Sequence, residues 1–166
     1  MLTLVCGPAG AGKSTYAQQL AAETNACLLD SDTVTEPVVR AGLALAGLDP
    51  DDRDSPSYKA AFRDPIYECL YNTAAENLPF LKVVLVGPFT REIRDPEFGK
   101  KLADRLQTEV ELIFVTCSED ERRRRIEQRG NPRDAPKLAD WQGYLAGSST
   151  LPPAGPHRIV NTSVEG

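Results

Sequence analysis

The chain has four cysteines, and neither their number nor their spacing builds a covalent or metallic scaffold. Cys6, Cys27, Cys69 and Cys117 lie far apart, without the short paired intervals of a zinc site or the density of a disulfide framework. Three of them adjoin apolar runs, so buried and reduced thiols are expected. No long hydrophobic run is present either. Nothing approaches the roughly 20 apolar residues that cross a bilayer, so no membrane partner is expected. The opening Met1-Leu2-Thr3-Leu4-Val5 has no basic segment ahead of a long apolar stretch, and it does not read as a secretory signal. A cytoplasmic address follows by default. Positive charge is in deficit: 19 Lys and Arg against 24 Asp and Glu give a net charge of −5, which argues against nucleic acid as a partner. His157 is the only histidine and reads as a surface-loop residue.

The 166 residues, 41% hydrophobic and 26% charged, fit one globular domain spanning 1–166. Short apolar runs at Leu2–Cys6, Ala26–Leu29, Leu81–Val86, Val110–Thr116 and Arg158–Val160 read as strands. Helical spacing marks Lys13–Ala22, Tyr58–Asn77, Pro96–Leu106 and Ser118–Gln128, with a short helix at Val38–Leu48. Strands alternating with helices predict an α/β fold, a parallel sheet covered on both faces. The acidic, proline-marked stretch at 49–56 reads as a surface loop, and it lacks the glycine and glutamate of a calcium loop. Gly130–Pro136, polar and proline-bearing, reads as a mobile flap.

Gly7-Pro8-Ala9-Gly10-Ala11-Gly12-Lys13-Ser14, followed by Thr15, matches the Walker A pattern G-x-x-x-x-G-K-[ST] at every fixed position. The glycines allow backbone N–H groups to approach phosphate oxygens closely. The helix that follows offers unpaired N–H groups and a dipole that favours negative charge. Lys13 is placed for the β- and γ-phosphates, and the Ser14 hydroxyl for Mg²⁺. The motif therefore predicts a P-loop NTPase fold that binds ATP with Mg²⁺.

Asp30-Ser31-Asp32 follows the second predicted strand at the sheet edge where ligands bind in open α/β folds. Two carboxylates one residue apart in an extended chain point in different directions. One would orient a magnesium-bound water and the other accept a proton from an acceptor hydroxyl. An aspartate-rich turn with a helix N-cap is the structural alternative.

Gly7–Thr15 together with Leu28-Leu29-Asp30-Ser31-Asp32 resembles the start of shikimate kinase, gluconate kinase and related small P-loop phosphotransferases. It also resembles P-loop kinases that act on nucleic-acid 5′-hydroxyl ends. The resemblance implies a five-stranded parallel sheet with helices on both faces. It implies Asp32 as the catalytic base and Asp30 as the magnesium-side carboxylate, an assignment that could be exchanged. Arg125-Ile126-Glu127-Gln128-Arg129 resembles the start of the arginine-bearing lid in the same enzymes, here covering 122–140. That likeness implies adenine stacking by Arg125 and phosphate contact by Arg129, with Arg133 as a further lid residue. The acceptor would be held by the segment 33–80, which the resemblance does not cover.

The third strand, Val83-Val84-Leu85-Val86-Gly87, has no acidic residue at its end, which argues against an ATPase that uses a Walker B carboxylate. No Asn-Lys-x-Asp guanine signature is present. Arg122, Arg125 and Arg129 share one helical face, while Arg123 and Arg124 are expected in solvent. Phe89, Arg91 and Arg94 are candidate acceptor contacts, as are Arg40, Arg53, Arg63 and Tyr67. Trp141, Leu138 and Tyr144 read as packing, and Asn161-Thr162-Ser163 as neighbours of the adenine. The function expected is Mg·ATP-dependent phosphoryl transfer to a hydroxyl of a small molecule, with Lys13, Asp32 and Arg129 in the chemistry. A 5′-hydroxyl nucleic-acid kinase and a nucleotide-binding module without turnover are the alternatives.

Overall fold

In the computed structural model, residues 1–147 and 150–163 are described. Five strands form one parallel sheet: β1 (Leu2–Cys6), β2 (Cys27–Asp30), β3 (Val83–Val86), β4 (Val110–Thr116) and β5 (Arg158–Asn161), in the spatial order β2-β3-β1-β4-β5. The α/β class and the five parallel strands match the expectation. The single-domain expectation runs to 166, and 164–166 lie outside the described residues.

Period-two alternation explains why helices cover both faces. Leu2, Leu4, Val83, Leu85, Leu112 and Phe114 point to one face, where they pack with Tyr67, Leu70 and Tyr71 of α3 (Pro56–Asn77) and Leu102 of α4 (Phe98–Leu106). Val5, Val84, Val86, Ile113 and Val115 point to the other, where Ala17 and Ala21 of α1 (Lys13–Thr24) meet them. Both sets are apolar, so the strands read as continuous hydrophobic runs. No helix among the described residues is long and apolar enough to cross a membrane.

Helix α2 (Ser31–Leu45) differs from the sequence reading, which began a helix only at Val38. It starts directly after β2 and continues through Pro37. Asp30 is its N-cap, accepting a hydrogen bond from the Asp32 amide at 3.0 Å. Asp32 therefore lies in a helical first turn, where its charge suits the helix dipole, and not in extended chain.

Helix α5 (Glu119–Arg129) follows its signals closely. Ser118 caps it, Glu119, Asp120 and Glu121 fill the first turn, and Gly130 closes it in the left-handed region. The expected flap at 130–136 holds a 3₁₀ turn (Pro132–Asp134) and the start of α6 (Ala135–Ala139), and a further short helix, α7 (Trp141–Ala146), follows it. Asp134, almost fully buried, anchors it through Arg129 at 2.6 Å and Lys137 at 3.4 Å. A second 3₁₀ turn lies at Glu92–Arg94.

The cysteine expectation holds only in part. All four are free thiols, but only Cys6 is buried, and burial pushes its pKa up to about 12. Cys69 is exposed, and Cys27 and Cys117 are half-buried. Their neighbouring apolar runs end at the sheet edge or turn away on a helix.

Candidate functional site

The carboxyl ends of β1, β2 and β3 open onto a cleft of about 890 Å³. The P-loop forms one end of it, α2 and α3 form the other, and Arg125, Arg129 and Arg133 cross above. Gly7 and Gly10 have φ angles of 142° and 77°, a region that side-chain-bearing residues rarely enter. Close approach requires them as well: a Cβ on Gly7 would lie 2.1 Å from the Val115 carbonyl oxygen, and one on Gly10 2.6 Å from that of Arg122. The loop is thus pressed between β4 and α5, Pro8, Ala9 and Ala11 are held in the turn that results, and Thr15 lies in the first turn of α1. Gly12 caps α1.

Lys13 folds back over the loop and donates to the Pro8 carbonyl at 2.8 Å. Its pKa is pushed down to about 8, first by burial, with Arg129 assisting and Asp32 opposing. The carboxylate of Asp32 therefore acts on the same charge that the P-loop presents.

Ser14 donates its hydroxyl proton to Asp30 Oδ2 at 2.7 Å, while Asp30 Oδ1 accepts the Asp32 amide. The N-cap alternative is thus realised in Asp30, whose other oxygen faces the P-loop serine. Hard oxygen donors of this kind suit Mg²⁺, which keeps several waters and uses few protein ligands. Among the described residues no group of three His, Cys, Asp or Glu could hold a metal, so an ion here would draw its remaining ligands from phosphate and water.

Asp32 pairs across the cleft with Arg133 Nη2. Arg133 also reaches Glu36 at 3.3 Å, and Glu36 is gripped by Arg53 at 2.6 and 3.3 Å. Burial works against the Arg133 charge, but the bond to Asp32 and the charges of Asp32, Glu36 and Asp134 outweigh it and raise its pKa. Arg129 lines the cleft with its guanidinium on Asp134.

Arg125 sits in a smaller recess with Gly12, Thr15, Tyr16, Gln19 and Thr162. Its guanidinium is fixed by Glu121 at 2.8 Å and by the Thr162 hydroxyl and carbonyl at 2.9 and 2.7 Å. A guanidinium locked at its edges keeps its face available for stacking on a base. Arg122 departs from its two helical companions: it is buried, with its guanidinium 5.7 Å from the centre of the Trp141 ring. Arg123 and Arg124 are exposed, as expected, and pair with Glu127 and Glu121.

Several acceptor candidates do not reach the cleft. Phe89 is fully buried and stacks on Tyr67 with ring centres 4.6 Å apart, because an aromatic ring beside β3 gains more from the core than from water. Tyr67 packs against it, largely buried and with its hydroxyl accepting from the Phe89 amide at 3.1 Å, but unlike Phe89 it does line the cleft. Arg91 pairs with Asp64 on the surface, Arg94 binds the Leu151 carbonyl, and Arg40 pairs with Asp51. Arg53 and Arg63 do line the cleft, Arg63 bound to Thr90 and Glu92. His157 is half-buried, its ring nitrogen 2.8 Å from the Gly155 carbonyl. Three site residues escaped the sequence reading. Glu36 and Glu121 fix arginines, and the Tyr144 hydroxyl accepts the P-loop amide of Ala9 at 2.9 Å. Glu36 could have been found four residues beyond Asp32, had the helix been started at Ser31.

A family model described as an AAA domain matches residues 2–148. No curated relative matches the chain. Among solved structures, a provisionally named kinase of Chloroflexus aurantiacus is 24% identical, with a TM-score of 0.70 over 98% of this chain and 88% of that one. A gluconokinase of Sinorhizobium meliloti is 18% identical, TM-score 0.60, over 98% and 81%. The APS kinase of Mycobacterium tuberculosis, solved with AMPPNP and APS, is 18% identical, TM-score 0.56, over 97% and 88%. At these identities the likeness is one of fold, and it extends the resemblance to P-loop small-molecule kinases over nearly the whole chain. The chain belongs to the AAA domain family, and it is built on the five-stranded P-loop framework that these kinases share.

Proposed function

We propose that the protein transfers the γ-phosphoryl group of ATP, with Mg²⁺, to a hydroxyl of a small molecule held between α2, α3 and the lid. The observation that carries this reading is the position of Asp32: it lines the cleft two residues beyond Asp30, the partner of the P-loop serine, and its charge acts on Lys13. Asp30 has both oxygens engaged, by Ser14 and by the Asp32 amide, and Asp32 has one, by Arg133, which supports Asp32 as the base.

In this reading Lys13 and the loop amides of residues 7–15 hold the β- and γ-phosphates, and Arg125 stacks on the base. Mg²⁺, when bound beside Ser14 and Asp30, supplies charge neutralisation between the phosphates. Asp32 accepts the proton of the acceptor hydroxyl as its oxygen bonds to the γ-phosphorus and the bond to the β–γ bridging oxygen breaks, releasing ADP. Arg129 and Arg133 stabilise charge on the transferring group. The side chains of α2 and α3 exclude water around the acceptor, whose identity is the finer part of the proposal.

The test is ATP turnover by the purified protein with a panel of hydroxylated metabolites and 5′-hydroxyl oligonucleotides. One small-molecule acceptor should stimulate turnover and carry the label. Asp32→Asn should reduce that rate roughly 10²–10⁴-fold while nucleotide affinity stays near wild type. Tight ATP binding without stimulation by any acceptor would sink the kinase reading, and stimulation by oligonucleotides alone would replace the acceptor class.

A further inference from the structure

Glu36 stands one helical turn beyond Asp32 on α2, and both carboxylates meet Arg133 from across the cleft. The two arginines on Glu36 hold it unequally. Arg53 forks onto both of its oxygens at 2.6 and 3.3 Å and also donates to the Pro50 carbonyl at 3.0 Å, which ties it into the loop before α3. Arg53 is only 11% exposed, so this is an anchored pair. Arg133 makes a single 3.3 Å contact to Glu36 and spends its other nitrogen on Asp32. If Arg133 leaves, Glu36 stays neutralised by Arg53, and Asp32 alone becomes an unpaired carboxylate.

Arg133 has somewhere to go. It lines the same cleft as Gly10, Gly12 and Lys13, and the Asp32 charge it covers is close enough to Lys13 to act on it. A terminal phosphate carries more negative charge than one carboxylate and accepts a guanidinium fork equally well.

We infer that Glu36 is a positioning residue that tethers Arg133 over Asp32, and that the terminal phosphate of the nucleotide competes with this tether. The inference rests on the nucleotide-site reading above. The base is covered while no phosphoryl donor is present, and it is uncovered by the arrival of the donor. Glu36 sets how readily Arg133 makes the exchange, and Arg53 keeps Glu36 from acting as a second free base.

The test is a double-mutant cycle read by nucleotide affinity. Wild type, Glu36→Gln, Arg133→Gln and the double variant are titrated with Mg²⁺ and either AMP-PNP or ADP, with unfolding temperatures taken in parallel. Glu36→Gln should tighten AMP-PNP by about three- to tenfold, the range for a partly buried ion pair. ADP, which lacks the competing phosphate, should change by less than about twofold, and the AMP-PNP gain should vanish in the Arg133→Gln background. If Glu36→Gln does not fold, Glu36→Asp replaces it. The shorter carboxylate cannot span both arginines, and since the Arg133 contact is the single one at 3.3 Å it is the one expected to go, with a gain of the same sign. A purely structural Glu36 would lower the unfolding temperature and weaken both nucleotides together, and that result, or equal effects with and without Arg133, overturns the tether. Wild-type protein that binds no nucleotide would bring down the site reading itself, a failure distinct from binding with an additive cycle.

Discussion

At the Gly7–Thr15 end of the cleft the arrangement rests on main-chain geometry, whereas at the Arg53–Arg133 end it rests on side-chain charges set against each other. The first end is held by backbone packed against backbone: the loop lies under the carbonyls of Val115 and Arg122, where no side chain could yield to make room. The second is a chain of ion pairs, Arg53 to Glu36 to Arg133 to Asp32, that can be re-dealt without moving a strand. Rigidity at the donor and rearrangement at the acceptor suit a site that must hold one ligand of fixed shape and close over another.

The contrast can be broken most severely at the rigid end. Gly10→Ala forces a Cβ to within 2.6 Å of the Arg122 carbonyl at a φ of 77°. Strain of this type costs about 1–3 kcal/mol. The expected outcome is a lower unfolding temperature together with a loss of ATP affinity of at least about tenfold, both read by thermal shift with and without nucleotide.

A middle-sized effect comes from pH. Lys13, pushed down to about 8 in the empty site, loses its charge as pH rises through that value. Phosphate favours the charged form, so binding takes up a proton above pH 8, and ATP affinity should fall by up to about tenfold per pH unit there. Calorimetry in buffers of different ionisation enthalpy measures that proton, and Lys13→Ala should abolish the dependence. The stability of the empty protein should move the opposite way. An ordinary lysine keeps its proton to 10.5, so the unfolded chain binds more protons between about 8 and 10.5, and stability rises with pH across that window.

The smallest effect sharpens the comparison from outside. Arg40 pairs with Asp51 on the surface, away from the Arg53–Arg133 chain, and Arg40→Ala should change stability by less than about 0.5 kcal/mol in chemical denaturation. A large effect there would show that the loop after α2 is part of the site.

The same division explains what could be read from the sequence. The P-loop was legible because each of its residue types has one local reason to be there, and the first three strands were legible because their apolar runs end where glycine or aspartate begins. The start of α2 was not. Asp30-Ser31-Asp32 reads as a turn, and Pro37 reads as a breaker, yet the helix runs from Ser31 past Pro37. With that start missed, Glu36 was missed too, and its partners were invisible for a further reason: Arg53 and Arg133 lie 17 and 97 residues away, and a charge network of that reach leaves no periodic trace. Phe89 and Tyr67 were read toward the acceptor because they follow a strand or lie in the expected acceptor segment. The Phe89 ring went instead to the core, where aromatic burial outweighs local position, whereas Tyr67 stacks on it and still lines the cleft.

Asp30 gives one carboxylate oxygen to the opening of α2 and the other to the serine of the phosphate loop. On the proposed function, folding and catalysis are therefore written into one codon. A variant that keeps a capping oxygen but no charge, such as Asp30→Asn, would inherit the helix and forfeit the ion-facing anion, whereas alanine would damage both at once. Under genetic drift such a position has almost no neutral neighbours, so the route by which a relative of this protein could trade its metal-side chemistry for another runs through asparagine or serine and not through alanine.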